Sequence, residues 1–339
     1  MHLNPSYCIE GDYIETVEEL FFSVKGLSHP KGRVIAYLRY VPDSKGERKR
    51  GGEKFRRVYS IDETTEFLRK HHPEYLSYVE SLGLTLQTVP LAKIEMLYKP
   101  RERLIDVMAH PRTNLEKTVA KFSSVLSSEG NIPVGEMGVS GSILIGLESP
   151  GSDIDLIVYG REEGVKAYEG LRRLRDACDW VSSYDGRTVE KVLKARWGDT
   201  GLDLERFRGV EVRKILHGLV YGRDYFVRLV KRPEEAETEM ESKPLCRARL
   251  RATISDESGA IFTPCTYQVE DCILLDAPTR HEISELTSFR GKFTEQARKG
   301  DLVEAYGTLE EVKLKDKVVY RLMMGSQGDY FIPVANHDR

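Results

Sequence analysis

Apolar and polar positions along the first third of the chain follow the period of a strand. Glu18-Glu19-Leu20-Phe21-Phe22-Ser23-Val24 and Arg33 to Val41 are rich in β-branched and aromatic residues and predict two strands. Gly26 and the turn His29-Pro30-Lys31-Gly32 separate them, and Pro42-Asp43 closes the second. Asp62 to His72 predicts a helix, with Asp62 as its N-cap and Glu63 and Glu66 in its first turn. The period lengthens after the capping box Thr113-Asn114-Leu115-Glu116, where Leu115, Val119, Phe122, Val125 and Leu126 form a helical stripe ending at Glu129-Gly130-Asn131. A short strand carrying Val139 then runs into Gly141-Ser142. Arg161 to Cys178, Val189 to Trp197 and Leu202 to Leu219 predict helices, with His217 at the end of the last. The arginines Arg172, Arg173 and Arg175 fall on a solvated face. Tyr225 to Val230 predicts a strand. Beyond it, Cys246 to Ile254 and Ile261 to Val269 alternate as strands around the hairpin turn Asp256-Glu257-Ser258-Gly259. Thr294 to Lys299 reads as helical, and Gly300 to Glu310 and Lys317 to Leu322 read as strands.

These elements group into three expected regions: an α+β region over 1–110, a central domain over 111–232 and a β-rich region over 240–339. The acidic run Pro233 to Glu241 is a linker or loop between the last two. A chain of 339 residues exceeds the usual single domain, in keeping with that division. Short strands and glycine turns make the last region a small sheet or barrel, loosely similar to an OB-like module. Its aromatics Tyr267, Phe289, Tyr306, Tyr320 and Tyr330 could stack on bases, although packing is the commoner role.

Charge changes the picture locally rather than globally. The net charge is −3, so no general basic field exists and any nucleic-acid contact must come from a patch. One patch stands out: Lys45, Arg48, Lys49, Arg50, Lys54, Arg56 and Arg57 surround Gly51-Gly52, with only Glu47 and Glu53 against them. It reads either as a loop gripping the phosphates of RNA or DNA or as a solvated hairpin tip. The five cysteines are odd in number and lack close metal spacing; Cys265 and Cys272 are the nearest pair for a disulfide or zinc site. No run of 18 apolar residues and no charged-then-apolar leader occurs, so the expectation is a cytoplasmic protein without a membrane partner.

The candidate chemistry lies between Met137 and Gly160. Asp153 and Asp155 are one residue apart at the head of the strand Leu156-Ile157-Val158-Tyr159, so they share a face. Two such carboxylates repel, and a divalent cation relieves them; hard oxygen ligands sharing a site with phosphates suit Mg²⁺. Gly141 lets the backbone approach a triphosphate closely, amides at the start of the following short helix can face its oxygens, and Ser142 can add a hydroxyl. The alternative is a tight strand-to-helix turn without a ligand.

Gly141-Ser142, ten residues, then Asp153-Ile154-Asp155 resembles the signature of the DNA polymerase β-like nucleotidyltransferases. The string Ser152-Asp153-Ile154-Asp155-Leu156 is especially similar to the small, minimal-type enzymes of prokaryotes. The resemblance implies an α+β fold: a polymerase β-like core of mixed sheet and helices, flanked here by the α+β N-terminal and β-rich C-terminal regions. It implies transfer of a nucleoside monophosphate from an NTP to a hydroxyl, with pyrophosphate released. Asp153 and Asp155 would hold two Mg²⁺ ions with a later third carboxylate, for which Asp224 is the best placed by order, ahead of Asp185, Asp203 and Glu205. Gly141, Ser142 and Ser152 would serve the nucleotide. One departure is visible: Ile143-Leu144-Ile145 occupy the place where the minimal proteins usually carry an arginine, while Gly146 is kept. The acceptor reads as a nucleic acid, with a structured RNA favoured over a protein or small-molecule hydroxyl. The rival reading keeps the fold, loses catalysis and makes the protein a nucleic-acid-binding or regulatory factor.

Overall fold

The computed structural model describes residues 4–58, 60–236, 239–276 and 281–334. In chain order the described residues form β1 (Tyr13–Thr16), β2 (Phe21–Val24), β3 (Arg33–Pro42), β4 (Arg48–Arg50), β5 (Glu53–Arg57), α1 (Ile61–His71), β6 (Leu76–Val79), β7 (Leu84–Pro90), β8 (Ile94–Tyr98), α2 (Pro100–Ala109), α3 (Asn114–Gly130), β9 (Met137–Val139), α4 (Gly141–Leu144) and β10 (Ile154–Tyr159). There follow α5 (Arg161–Ala177), β11 (Val181–Ser182), α6 (Gly186–Trp197), α7 (Glu205–Arg213), β12 (His217–Val220) and β13 (Arg223–Val230). Last come β14 (Glu239–Asp256), β15 (Phe262–Thr263), β16 (Cys265–Leu274), β17 (Ile283–Ser288), β18 (Leu302–Leu314), β19 (Val318–Met323) and β20 (Tyr330–Pro333). Two compact units result. The first holds Met1–Val79, Leu84–Tyr159 and Arg223–Val227; the second holds Glu80–Gly83, Gly160–Gly222 and Arg228–Arg339. Among the described residues no helix is long and apolar enough to cross a membrane.

In the first unit, an antiparallel sheet runs β4-β5-β3-β2-β1-β8, with β7 on β3 and β6 on β7. Alternation along β3 sends Val34, Ala36 and Leu38 into a core with Ile14, Phe22, Val24, Leu68 and Val89. A second cluster joins Tyr13, Phe21, Tyr40 and Phe55 to Leu144, Ile145 and Leu147, so the N-terminal sheet packs directly on the segment after Gly141. The Gly51-Gly52 pair is a hairpin turn: both glycines have positive φ, 59° and 92°, and β4 pairs with β5 from Arg48↔Phe55 to Arg50↔Glu53. α3 starts at the expected capping box, with Thr113 and Glu116 each satisfying the other's backbone N–H. β9 and β10 pair antiparallel, Val139 opposite Leu156, and β13 lies on the other side of β10. Gly138 allows this packing, because a Cβ there would stand 2.6 Å from Pro100 Cβ at the start of α2.

The second unit is built around a barrel. β14, β16, β17, β19 and β18 follow one another by hydrogen bonding, and β18 pairs back to β14, closing the ring; β20 extends it from β18. Every pairing is antiparallel except β17 with β19. Ala248, Leu250, Ala252 and Ile254 point into the core, while Arg247, Arg249 and Arg251 alternate outward and pair with Asp329, Asp276 and Glu304. Against this core lies a buried charge network. Glu211 accepts from Trp197 Nε1 (2.9 Å), Lys214 Nζ (2.9 Å) and Arg196 Nη1 (2.6 Å). Burial alone would raise its carboxyl, but Lys214 and Arg196 outweigh that and hold it below the usual range.

Several expectations are corrected. α1 is capped by Ser60, whose hydroxyl accepts from Glu63 N–H (3.4 Å), so the helix begins one residue before Asp62. The predicted helix over Leu202–Leu219 ends at Arg213, and His217 is a buried strand residue in β12, its ring held by Arg196 (2.8 Å) and the Gly291 carbonyl (3.1 Å). Arg175 is likewise drawn inward, donating to the Lys214 (2.5 Å) and His217 carbonyls. Thr294 to Lys299 is not helical. Glu295 sits at φ 55°, outside the right-handed helical region, and its buried carboxylate accepts from the N–H groups of Ile215 (2.7 Å) and Leu216 (3.0 Å). Glu239 to Glu241 belong to β14 rather than to a linker, paired with Leu314 and Lys313; Glu237 and Thr238 of that run lie outside the described residues. Tyr267 and Tyr330 are buried and unable to stack on bases, and Cys265 and Cys272 are free thiols.

Candidate active site

The site grows from two adjacent strands of the first unit. β9 ends at Val139, and Ser140 N–H donates to the Asp155 carbonyl (2.8 Å), which locks the start of the turn to β10. Gly141 follows with φ +64°, a conformation that disfavours a side chain. Space requires glycine as well: a Cβ there would lie 2.2 Å from Asp155 Oδ2. The turn and this carboxylate are therefore in immediate contact. Ser142 is buried at the beginning of α4, where its carbonyl accepts from Leu147 N–H (2.9 Å). Ile143, Leu144 and Ile145, which replace the arginine of the minimal pattern, are buried, the latter two beneath Tyr13, Phe21, Tyr40 and Phe55. An arginine at Leu144 or Ile145 would lose its hydration among these apolar side chains.

Along β10 Ile154, Leu156 and Val158 point into the core, leaving Asp153 and the half-buried Asp155 on one side. Asp224 is half-buried at the start of β13, and Tyr225 beyond it packs inward on Phe122 (ring centroids 5.2 Å apart). Asp153 keeps contact with solvent, yet its carboxyl is pushed up to about 6. Partial desolvation is the largest cause, repulsion from Asp155 and Asp224 follows, and Arg57 and Arg223 pull the other way. Asp224 is thus within electrostatic reach of the pair. Asp185, Asp203 and Glu205 are taken up locally, by Thr188 Oγ1 (2.6 Å), Glu205 N–H (3.1 Å) and Arg208 (2.6 Å). Among the described residues no three His, Cys, Asp or Glu side chains are drawn together as a metal-holding group. What the site offers is a pair of hard oxygen donors on one strand, with a third carboxylate acting electrostatically on Asp153.

Ser152 is turned inward. Its hydroxyl accepts from Ser149 N–H (2.8 Å) and Arg48 Nη1 (2.8 Å), so it holds the turn before Asp153. The basic run splits accordingly. Lys45, Lys49 and Lys54 are exposed. Arg48 is buried, Arg50 pairs with Glu15 (3.0 Å) and lies 5.1 Å over the Phe21 ring, and Arg56 pairs with Asp43 (3.2 Å) and Glu63 (2.9 Å). Arg57 directs its charge towards Asp153, Tyr13 and Tyr40. Of the two expectations for 45–57 it is the hairpin that forms, with one engaged face and one lysine-bearing face. Arg48, Arg223 and Tyr13 were not singled out by sequence reasoning for this site. Gly51-Gly52 was the available signal, since a two-residue turn dictates that Arg48 and Arg50 share a face.

A Gly-Ser turn against an Asp-x-Asp strand, in a mixed sheet backed by helices, defines a nucleotidyltransferase core. Residues 119–244 match the family described as nucleotidyltransferase domain, and the chain belongs to the polymerase β-like nucleotidyltransferase superfamily. It is similar along almost its whole length to an uncharacterized protein, MJ1086, of Methanocaldococcus jannaschii: 30% identity over 342 residues, taking in 94% of this chain and 96% of the relative. No solved structure matches the chain.

Proposed function

We propose that this protein transfers a nucleoside monophosphate from an NTP to a hydroxyl acceptor, with divalent metal held by Asp153 and Asp155 and with Asp224 as the third carboxylate. The observation that carries the reading is the contact between Gly141 and Asp155: the missing Cβ brings the turn and the carboxylate within 2.2 Å of where that atom would be, beside the repelling Asp153. Bound Mg²⁺ supplies charge for the attacking hydroxyl and for the departing pyrophosphate. Gly141 leaves room for the β- and γ-phosphates, and Ser142 donates to them. The acceptor oxygen bonds to the α-phosphorus, the bond from that phosphorus to the β-bridging oxygen breaks, and the hydroxyl proton passes to Asp224. Arg57 and Arg223 offset the negative charge around Asp153. Ser152 acts by holding the turn.

The acceptor we favour is a nucleic acid, RNA first. The exposed Lys45, Lys49 and Lys54 of the β4–β5 hairpin support phosphate contact, and the closed five-strand barrel has the layout of OB-like binding modules. On this reading 111–232 is the transferase region and 240–339 an accessory domain. The test is label transfer from each α-labelled NTP to total RNA or protein extract in Mg²⁺. Asp153→Asn should remove transfer by roughly a thousand-fold, the equivalent of about 4 kcal/mol, while the protein stays folded. Wild-type turnover by that variant would sink the mechanism. Salt-sensitive RNA binding without any transfer would favour the non-catalytic rival.

A further inference from the structure

The turn from Leu147 to Ser152, which delivers Asp153, is clamped by two arginines. Arg48 of β4 donates through Nη1 to the Leu147 carbonyl (3.2 Å), Ser149 Oγ (2.8 Å) and Ser152 Oγ (2.8 Å). Arg223, at the head of the strand that carries Asp224, donates through Nη1 to the carbonyls of Pro150 and Ser152, each at 2.7 Å. Burying a guanidinium is costly unless a carboxylate accompanies it. Arg48 is 8% exposed, and the carboxylate within 4.0 Å of it among the described residues is Glu47, 3.7 Å from Nε. That Nε is buried without a hydrogen-bond partner. One terminal nitrogen, Nη1, gathers three neutral oxygens of the turn, and its reach from β4 gives the turn a single conformation, which a lysine ending one bond shorter would not. A second tie points the same way: Ser140 Oγ donates to the Gly11 carbonyl (2.7 Å), fixing the turn before Gly141 to the N-terminal segment.

We propose that Arg48 is a positioning residue for nucleotidyl transfer. It fixes the 147–152 turn so that Asp153 meets metal and triphosphate in one orientation, and it makes the N-terminal sheet, outside the matched residues 119–244, part of the transferase. The inference rests on the function proposed above.

The test compares the full chain as wild type, Arg48→Lys, Arg48→Ala, Ser152→Ala and the Arg48→Ala/Ser152→Ala pair. Transfer kinetics, Mn²⁺ binding by electron paramagnetic resonance and thermal unfolding are measured for each. Displacement of a reacting group by about 1 Å costs about a hundred-fold, so Arg48→Ala should lower kcat by roughly 10- to 100-fold. KM for the NTP should stay within about threefold, because the triphosphate contacts of Gly141 and Ser142 are intact. Arg48→Lys keeps the charge but ends one bond short of the place Nη1 occupies, so it should stay folded with kcat still reduced and Mn²⁺ affinity lowered. The pair should lose little more than Arg48→Ala alone, since both changes cut the same bond. A folded Arg48→Lys with wild-type kcat and Mn²⁺ affinity overturns the inference, even if Arg48→Ala fails to fold. A wild-type protein that neither transfers nor binds Mn²⁺ overturns the proposed function and this inference together; active wild type with unaffected Arg48 variants overturns the inference alone.

Discussion

Two groups of charged side chains, one in each unit, are handled in opposite ways. In the second unit, Glu211 is fully buried and each of its oxygens is met by donors: Arg196, Trp197 and Lys214. In the first unit, Asp153 and Asp155 stand side by side on one strand face and repel, with Asp224 adding to the repulsion. A satisfied buried network specifies packing, whereas an accumulation of like charge is tolerated only where a ligand will relieve it. The contrast separates scaffold from site without reference to any motif.

The sharpest way to break the comparison is to neutralise one member of each group. Asp153→Asn should abolish transfer yet leave the melting temperature unchanged or raised, because it removes a repulsion. Glu211→Gln should do the reverse, leaving Arg196 and Lys214 short of a buried counter-charge. Loss of one partner from such a network costs roughly 3–5 kcal/mol, to be read by denaturant unfolding. A Glu211→Gln protein as stable as wild type would remove the distinction. Gly141→Ala sits between the two. The new Cβ meets Asp155 Oδ2 at 2.2 Å and forces a side chain to φ +64°, so about 1–2 kcal/mol of stability should go, together with most transfer activity. Unfolding and rate measurements on the same sample would show whether both fall together.

The smallest effect is a pH slope. Burial, then Arg196 and Lys214, hold His217 well below its ordinary 6.5 and hence neutral, its ring also facing Arg175, the Gly291 carbonyl and Thr294. The unfolded chain takes up a proton near 6.5 where the native chain does not. The stability due to neutral His217 is therefore present above 6.5 and lost as pH falls below it, by at most about 1.4 kcal/mol per pH unit. Melting temperatures between pH 7.5 and 5 should show the decline, and His217→Gln should flatten it. An unchanged slope in that variant would assign the decline to other groups.

What the sequence revealed follows the range of the forces involved. Gly141-Ser142 and Asp153-Ile154-Asp155 were legible because turn, spacing and strand alternation are all local. The same holds for the capping box at Thr113 and for the helices over 161–177 and 186–197. The region from 202 to 219 misled because Leu216 and His217 are apolar or buried for tertiary reasons: Glu295, some 80 residues on, caps the N–H groups of Ile215 and Leu216. The basic run misled for a related reason. Arg48 bonds residues 99 to 104 positions away, and composition cannot distinguish an arginine that faces solvent from one that clamps a distant turn.

Leu144, Ile145 and Leu147 share one apolar cluster with Tyr13, Phe21, Tyr40 and Phe55. Their burial carries a consequence for heredity. A gene segment encoding only 119–244 would produce a greasy, uncovered flank, roughly 1.5–3 kcal/mol of lost burial for each large side chain, so in this chain the matched region relies on the N-terminal sheet for cover. Recombination that separates it from the first hundred residues should be selected against. The similarity to the Methanocaldococcus jannaschii protein spans 94% of this chain, the pattern expected if these parts descend as one block.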